Sequence, residues 1–149
     1  MKTNYQRTKS WLEACGKEKT PENLSVQVGV QIEEFCEFLS CLRILNPDYA
    51  VMLIRATADL EHMAVLLKKR EIEVNIPVHL RVDALDALCD IEVTGNGVAY
   101  LAGFDKDAAD REVLNSNDSK LENGVAVILP GGKIGKGNSY APPELKGFV

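Results

Sequence analysis

The sequence predicts an all-α protein, most simply a helical bundle. Apolar residues recur at spacings of three and four through most of the first 121 positions, which is the period of a helix with one buried face. Two proline-bearing start signals, Thr20-Pro21-Glu22 and Asn46-Pro47-Asp48, punctuate that stretch. Glycine and proline crowd the chain from Gly124 to Pro143, so the C-terminal part reads as a loop-rich tail.

Residues 4–15 form a short first helix, anchored by Tyr5, Trp11 and Leu12 and stopped by Gly16. Lys17 to Lys19 make a charged linker. Thr20 caps the second helix, Pro21 suits its first position, and Glu22 complements the positive helix end. Its body runs from about Asn23 to Leu45, with Leu24, Val28, Ile32, Phe35, Leu39 and Leu42 on one buried face. The third helix runs from about Pro47 to Arg70 on Val51, Leu53, Ile54, Ala58, Met63, Leu66 and Leu67. It ends in the basic turn Lys68-Lys69-Arg70.

Pro77 breaks any helix in residues 71–77. Val78 to Gly103 reads as a fourth long helix. Gly95 and Gly97 each cost it about 1 kcal/mol, which calls for close packing or a ligand there. A fifth helix spans Lys106 to about Asn117 under an Asp105 cap. Residues 1–121 are thus expected to form the helical domain. Residues 122–149 form a tail packed on it, with a short hairpin around Val125 to Leu129.

A chain of 149 residues is one ordinary domain, large enough to bury about 68–70% of its unfolded surface without disulfides. At 46% hydrophobic and 26% charged residues, it is not a wholly disordered chain. The balance of 17 basic against 22 acidic residues gives a net charge of -5, which excludes a duplex-DNA binder living on phosphate contacts. No nucleic-acid polymer is expected as a partner. An acidic protein still binds a phosphorylated ligand when a metal ion bridges the two. No apolar run is long enough for a membrane span, and the N-terminus lacks the apolar core of a signal peptide. No membrane association and a cytoplasmic location are expected. Cys15, Cys36, Cys41 and Cys89 contain no CxxC pair and read as reduced core cysteines.

Acidic residues carry the functional signal. The second helix holds Glu33, Glu34 and Glu37, with Glu34 and Glu37 about 60° apart and Glu33 and Glu37 about 40° apart. Val26, Val30, Phe38 and Cys41 share that half of the wheel. On the fourth helix Asp83, Asp86 and Asp90 fall within an arc of about 60°, with Thr94 and Gly97 on the same stripe. Like charges so close repel, and carboxylates among apolar neighbours need a compensating charge. Lys, Arg and His are absent from positions 20–42 and 82–105, so a divalent cation is the simplest neutraliser. Oxygen-only ligands select Mg²⁺, Mn²⁺ or Ca²⁺ rather than zinc or copper, and Mg²⁺ binds a few carboxylates together with substrate phosphates.

These residues carry a family resemblance. Glu33-Glu34-Phe35-Cys36-Glu37, then a spacer helix, then Asp86-Ala87-Leu88-Cys89-Asp90 resembles the EExxE…ExxD signature of the all-α nucleotide pyrophosphohydrolases. These include the MazG-like proteins and the phosphoribosyl-ATP pyrophosphohydrolases. Arg111 to Lys120 resembles the "EV…SN.SK" segment of the MazG-like branch, and Gly132 to Tyr140 with Pro142, Pro143 and Leu145 resembles its tail.

The resemblance implies a four-helix-bundle core with a loop-rich C-terminal tail, and a homodimer or homotetramer. It also implies Mg²⁺-dependent hydrolysis of a (d)NTP to (d)NMP and pyrophosphate. Glu34, Glu37 and Asp90 match metal ligands. Ala87 occupies the usual Glu position, and Asp86, four residues before Asp90, is taken as the substitute. Glu33 joins Glu34, Glu37, Asp86 and Asp90 in the catalytic set, and Asn117, Lys120, Lys133, Lys136 and Tyr140 are the substrate-binding set. Two alternatives stand beside this reading: a non-catalytic nucleotide-binding or scaffold protein on the same bundle, and a phosphoribosyl-ATP pyrophosphohydrolase.

Overall fold

Residues 2–129 and 134–149 are described by the structure, a computed structural model. Its elements are α1 (Asn4–Ala14), α2 (Pro21–Cys41), α3 (Pro47–Lys68), α4 (Arg81–Ala102) and α5 (Lys106–Asp118), then β1 (Leu121–Glu122) and β2 (Val125–Ala126). The fold is all-α with a loop-rich C-terminal part. None of these helices is long and apolar enough to cross a membrane. Two compact units divide the chain: Glu18–Val78, and the residues up to Lys17 together with His79–Val149. The tail from residue 122 belongs to the same unit as α1, α4 and α5.

In the Glu18–Val78 unit, α2 and α3 form a helical hairpin. The Thr20 hydroxyl accepts from the Asn23 backbone N–H at 3.2 Å, and the Asn46 side chain accepts from that of Asp48 at 3.1 Å, each just before a proline at the first helical turn. The buried seam is Ser25, Gly29 and Cys36 of α2 against Ala64 and Leu67 of α3. A Cβ on Gly29 would lie 2.9 Å from Leu67 Cβ and 3.0 Å from the Ala64 carbonyl oxygen, so the two backbones meet where a side chain is missing.

The expected apolar face is therefore displaced. Leu24, Val28, Ile32 and Leu39 flank the seam half-buried, while Phe35 and Leu42 are exposed. On α3, Val51, Ile54 and Met63 are likewise exposed. A contact between only two helices is narrow, and the small residues that permit the closest approach occupy it. Ser25 Oγ donates to the Pro21 carbonyl at 2.9 Å and accepts from the Val74 N–H at 3.0 Å, tying down the segment after α3. The second helix ends at Cys41 and not Leu45, because Leu42 turns to extended backbone.

In the other unit, Thr3 and Gln6 form a capping box that starts α1. Trp11 Nε1 donates to the Asn117 carbonyl at 2.9 Å, and Arg7 pairs with Asp118 at 2.6 Å and bonds Asn115 at 2.9 Å, so α1 lies against α5. A 3₁₀ turn at Val78–Leu80 precedes α4, which begins at Arg81 and not Val78. Gly103 ends it in the left-handed conformation, φ 81°. Ala99 is the one buried residue of α4. Within its own unit, no described residue lies within 4 Å of a Cβ built on Gly95 or Gly97, so close packing inside that unit accounts for neither.

Asp105 caps α5, its carboxylate accepting from the Ala108 N–H at 3.1 Å. The hairpin starts earlier than expected: Leu121 pairs with Ala126 and Glu122 with Val125, around Asn123 and Gly124 at φ 53° and 80°. Asn-Gly is the pair that accepts two successive left-handed residues. All four cysteines are free. Cys15 and Cys36 are buried as expected, but Cys41 and Cys89 are exposed, the first at the open end of α2 and the second on a face of α4 that its unit leaves uncovered.

Candidate functional site

α2 carries Glu33, Glu34 and Glu37 within little more than one turn, and α3 reaches one of them. Lys68 Nζ sits 2.5 Å from Glu33 Oε1, and both side chains are partly screened from water. A basic partner for this row therefore comes from the neighbouring helix and not from helical spacing on α2. Glu34 and Glu37 are exposed.

Asp83, Asp86 and Asp90 all lie on α4 and all are exposed. Thr94 Oγ donates to the Asp90 backbone carbonyl at 2.7 Å, so it extends the stripe without occupying the carboxylate. Among the described residues no Lys, Arg or His forms an ion pair with Glu37, Asp83, Asp86 or Asp90. The glutamate row belongs to the Glu18–Val78 unit and the aspartate row to the other. Within either unit, no group of three or more His, Cys, Asp or Glu among the described residues is placed to hold a metal ion. Each row offers hard carboxylate oxygens, and Mg²⁺ fits such a partial set because it completes its six positions with water and phosphate.

Four of the five expected substrate-binding residues are described, all in one unit; Lys133 lies outside the described residues. Lys120 Nζ donates to Asn117 Oδ1 at 2.8 Å and stands 5.9 Å over the Trp11 ring. Lys136 Nζ stands 4.7 Å over the Tyr140 ring, a cation–π contact of the same kind. The tail brings these pairs into one neighbourhood: a Cβ on Gly137 would lie 3.1 Å from the Lys120 carbonyl. Two residues not singled out from sequence hold the tail there. Ser119 Oγ accepts from the Ala141 N–H at 2.9 Å, and Glu122 Oε1 accepts from the Asn138 N–H at 2.8 Å. Ser119 closes the Ser116-Asn117-Asp118-Ser119 run, and short polar side chains of this kind bond nearby backbone. That was the available signal.

Burial pushes the Cys15 thiol above its usual range, opposed by the charges of Lys17 and Lys120. A cavity of about 370 Å³ opens beside this cluster, lined by Lys2, Arg7, Ser10 and Trp11 among others. A second, of about 510 Å³, lies at the open end of the α2–α3 hairpin, where Leu39, Leu53 and Ile54 form an apolar wall beside Arg43 and Glu61. Its lining contains none of the expected ligands. Comparison of the chain with protein-family models, with curated proteins and with solved structures gives no match to any of them.

Proposed function

We propose that the chain is a Mg²⁺-dependent nucleoside triphosphate pyrophosphohydrolase, converting a (d)NTP and water to a (d)NMP and pyrophosphate. The observation that carries this reading is the Asp83/Asp86/Asp90 stripe: three like charges on one narrow arc of a largely apolar helix, without an ion-pair partner among the described residues. Glu34, Glu37, Asp86 and Asp90 are the metal ligands in this reading, with Mn²⁺ as a substitute ion. Mg²⁺ bound there supplies the positive charge that lets a chain of net charge -5 accept a triphosphate.

The remaining roles belong to the chain's own side chains. Lys120 and Lys136 meet phosphate oxygens, and the aromatic rings beneath their ammonium groups keep them extended in place. Asn117 uses its carbonyl oxygen on Lys120, leaving its NH₂ to donate to the nucleotide, and Tyr140 offers a ring face to base or ribose. Glu33 is held by Lys68, so it serves as a fixed carboxylate beside the ligand row.

The test is pyrophosphate release from a panel of nucleoside triphosphates with and without Mg²⁺. Glu37→Ala and Asp90→Ala are each expected to reduce Mg²⁺-dependent release to background while helix content stays unchanged. Full activity in both variants overturns the assignment. A nucleotide-binding protein without turnover is the second reading, favoured by Ala87 where the resembled signature has Glu. Mg²⁺-dependent binding with no product release in the same panel supports it.

A further inference from the structure

The same dipeptide occurs twice in the chain, as Asn96-Gly97 and as Asn123-Gly124, and the fold places the two copies in opposite backbone settings. An asparagine followed by glycine carries a latent reaction. Glycine has no side chain to keep its backbone nitrogen away from the neighbouring carboxamide. Whether that nitrogen swings onto the carboxamide depends on what else holds it.

Asn96 and Gly97 sit well inside α4. There the glycine N–H belongs to the helical hydrogen-bond ladder, and moving it breaks that ladder. Asn123 and Gly124 are instead the two central residues of the β1–β2 turn, at φ 53° and 80°. The pairing closes at Glu122 and Val125, so neither turn residue belongs to it. Two residue pairs, Leu121 with Ala126 and Glu122 with Val125, join β1 to β2, and so short a ladder opens at little cost. No described residue of the same unit lies within 4 Å of a Cβ built on Gly124, so the turn has room to rearrange.

We propose that Asn123-Gly124 is a self-modifying site, which converts to aspartate and isoaspartate while Asn96-Gly97 is spared. Hydroxide takes the proton of the Gly124 N–H, and the nitrogen attacks Asn123 Cγ. The new N–Cγ bond closes a succinimide ring, the bond from Cγ to the side-chain nitrogen breaks, and ammonia leaves. Water then opens the ring at either carbonyl, so water is consumed and nothing is oxidised or reduced. Aspartate keeps the chain length and tolerates a left-handed φ. Isoaspartate routes the main chain through Cβ, which adds a methylene to a two-residue turn and costs the Glu122–Val125 pairing. Either product sets a negative charge beside Glu122, whose carboxylate holds the Asn138 N–H at 2.8 Å. Modification of the turn therefore reaches the tail. This inference does not depend on the enzymatic reading.

For the test, the full chain is held at mildly alkaline pH, both folded and in urea, and then cut with trypsin. Residue 123 lies between Lys120 and Lys133, and residue 96 between Arg81 and Lys106, so the two sites leave on separate peptides. The mass change from exchanging ammonia for water is expected at least about tenfold faster at residue 123 than at residue 96 in the folded chain. In urea the two rates are expected to be similar. Labelling by an isoaspartate methyltransferase is expected on the peptide holding residue 123. Asn123→Gln, whose longer side chain does not close this ring, is expected to leave that peptide unchanged. Hydrogen exchange at the Asn138 N–H is expected to quicken in the converted chain. Equal rates at the two sites in the folded chain overturn the proposal. So does a residue 96 that still lags in urea, since the difference then lies in sequence and not in the backbone. Unchanged exchange at Asn138 overturns the link to the tail.

Discussion

At Gly29 a single hydrogen atom sets how closely two helices meet. Alanine there brings its methyl group to 2.9 Å from Leu67 Cβ and 3.0 Å from a backbone oxygen, neither of which is the free end of a flexible side chain. The helix-propensity gain of about 1 kcal/mol is opposed by overpacking that costs about 1–3 kcal/mol. Gly29→Ala is therefore expected to lower stability by about 1 kcal/mol net, read as a lower urea midpoint at unchanged slope. A neutral or stabilised variant contradicts the close approach. Gly29 was not legible from sequence, because periodicity registers bulky apolar residues and passes over a position whose contribution is the lack of a side chain. The Glu33–Lys68 pair was hidden for a related reason: its members are 35 residues apart, and charge patterning along one helix registers only neighbours three or four apart.

Helix starts were the most legible elements. Thr20, Asn46 and Asp105 all cap as their residue types suggest, because a cap is settled within four residues of chain. Thr20→Ala removes the acceptor for the Asn23 N–H and is expected to cost about 1 kcal/mol of stability, measured by thermal or urea unfolding. Recovery of most of that loss in Thr20→Asn identifies the hydrogen bond as the cause. Helix ends were read less well. α2 stops at Cys41, short of its apolar pattern, since the pattern continues wherever side chains find some apolar neighbour, and α3 stops at Lys68, past its last apolar residue but before the expected end at Arg70. The aspartate row of α4 was legible as a stripe because an arc on one helix needs no knowledge of the rest of the fold.

Across the whole molecule, local sequence patterns say little. The expected boundary near residue 121 follows a change in composition, whereas the compact units group the first 17 residues with everything after His79. That grouping depends on bonds such as Arg7 to Asp118, which no periodicity encodes. Stability against pH also belongs to this scale. Burial raises the thiols of Cys15 and Cys36 above the ordinary 9.0, so the native chain keeps protons that the unfolded chain releases. Their stabilising contribution is complete below about pH 9 and is lost as pH rises through the raised native values. Unfolding free energy is expected to fall as pH rises above about 9, and to fall less in a Cys15→Ala/Cys36→Ala variant compared with its own value at lower pH. An identical drop in both proteins removes the thiols as the cause.

The docking of α1 on α5 has a consequence for the order in which the molecule assembles. Trp11 and Arg7 find their acceptors at Asn117 and Asp118, 106 and 111 residues further along the chain. On a ribosome adding about 5–20 residues per second, the first helix emerges and then waits roughly 5–20 s for its counterpart. The α2–α3 hairpin is translated in full during that delay, so it is free to close first. A nascent chain arrested once α3 has cleared the ribosome, but before α5 has, is the species in which that closed hairpin coexists with an unpaired, tryptophan-bearing first helix.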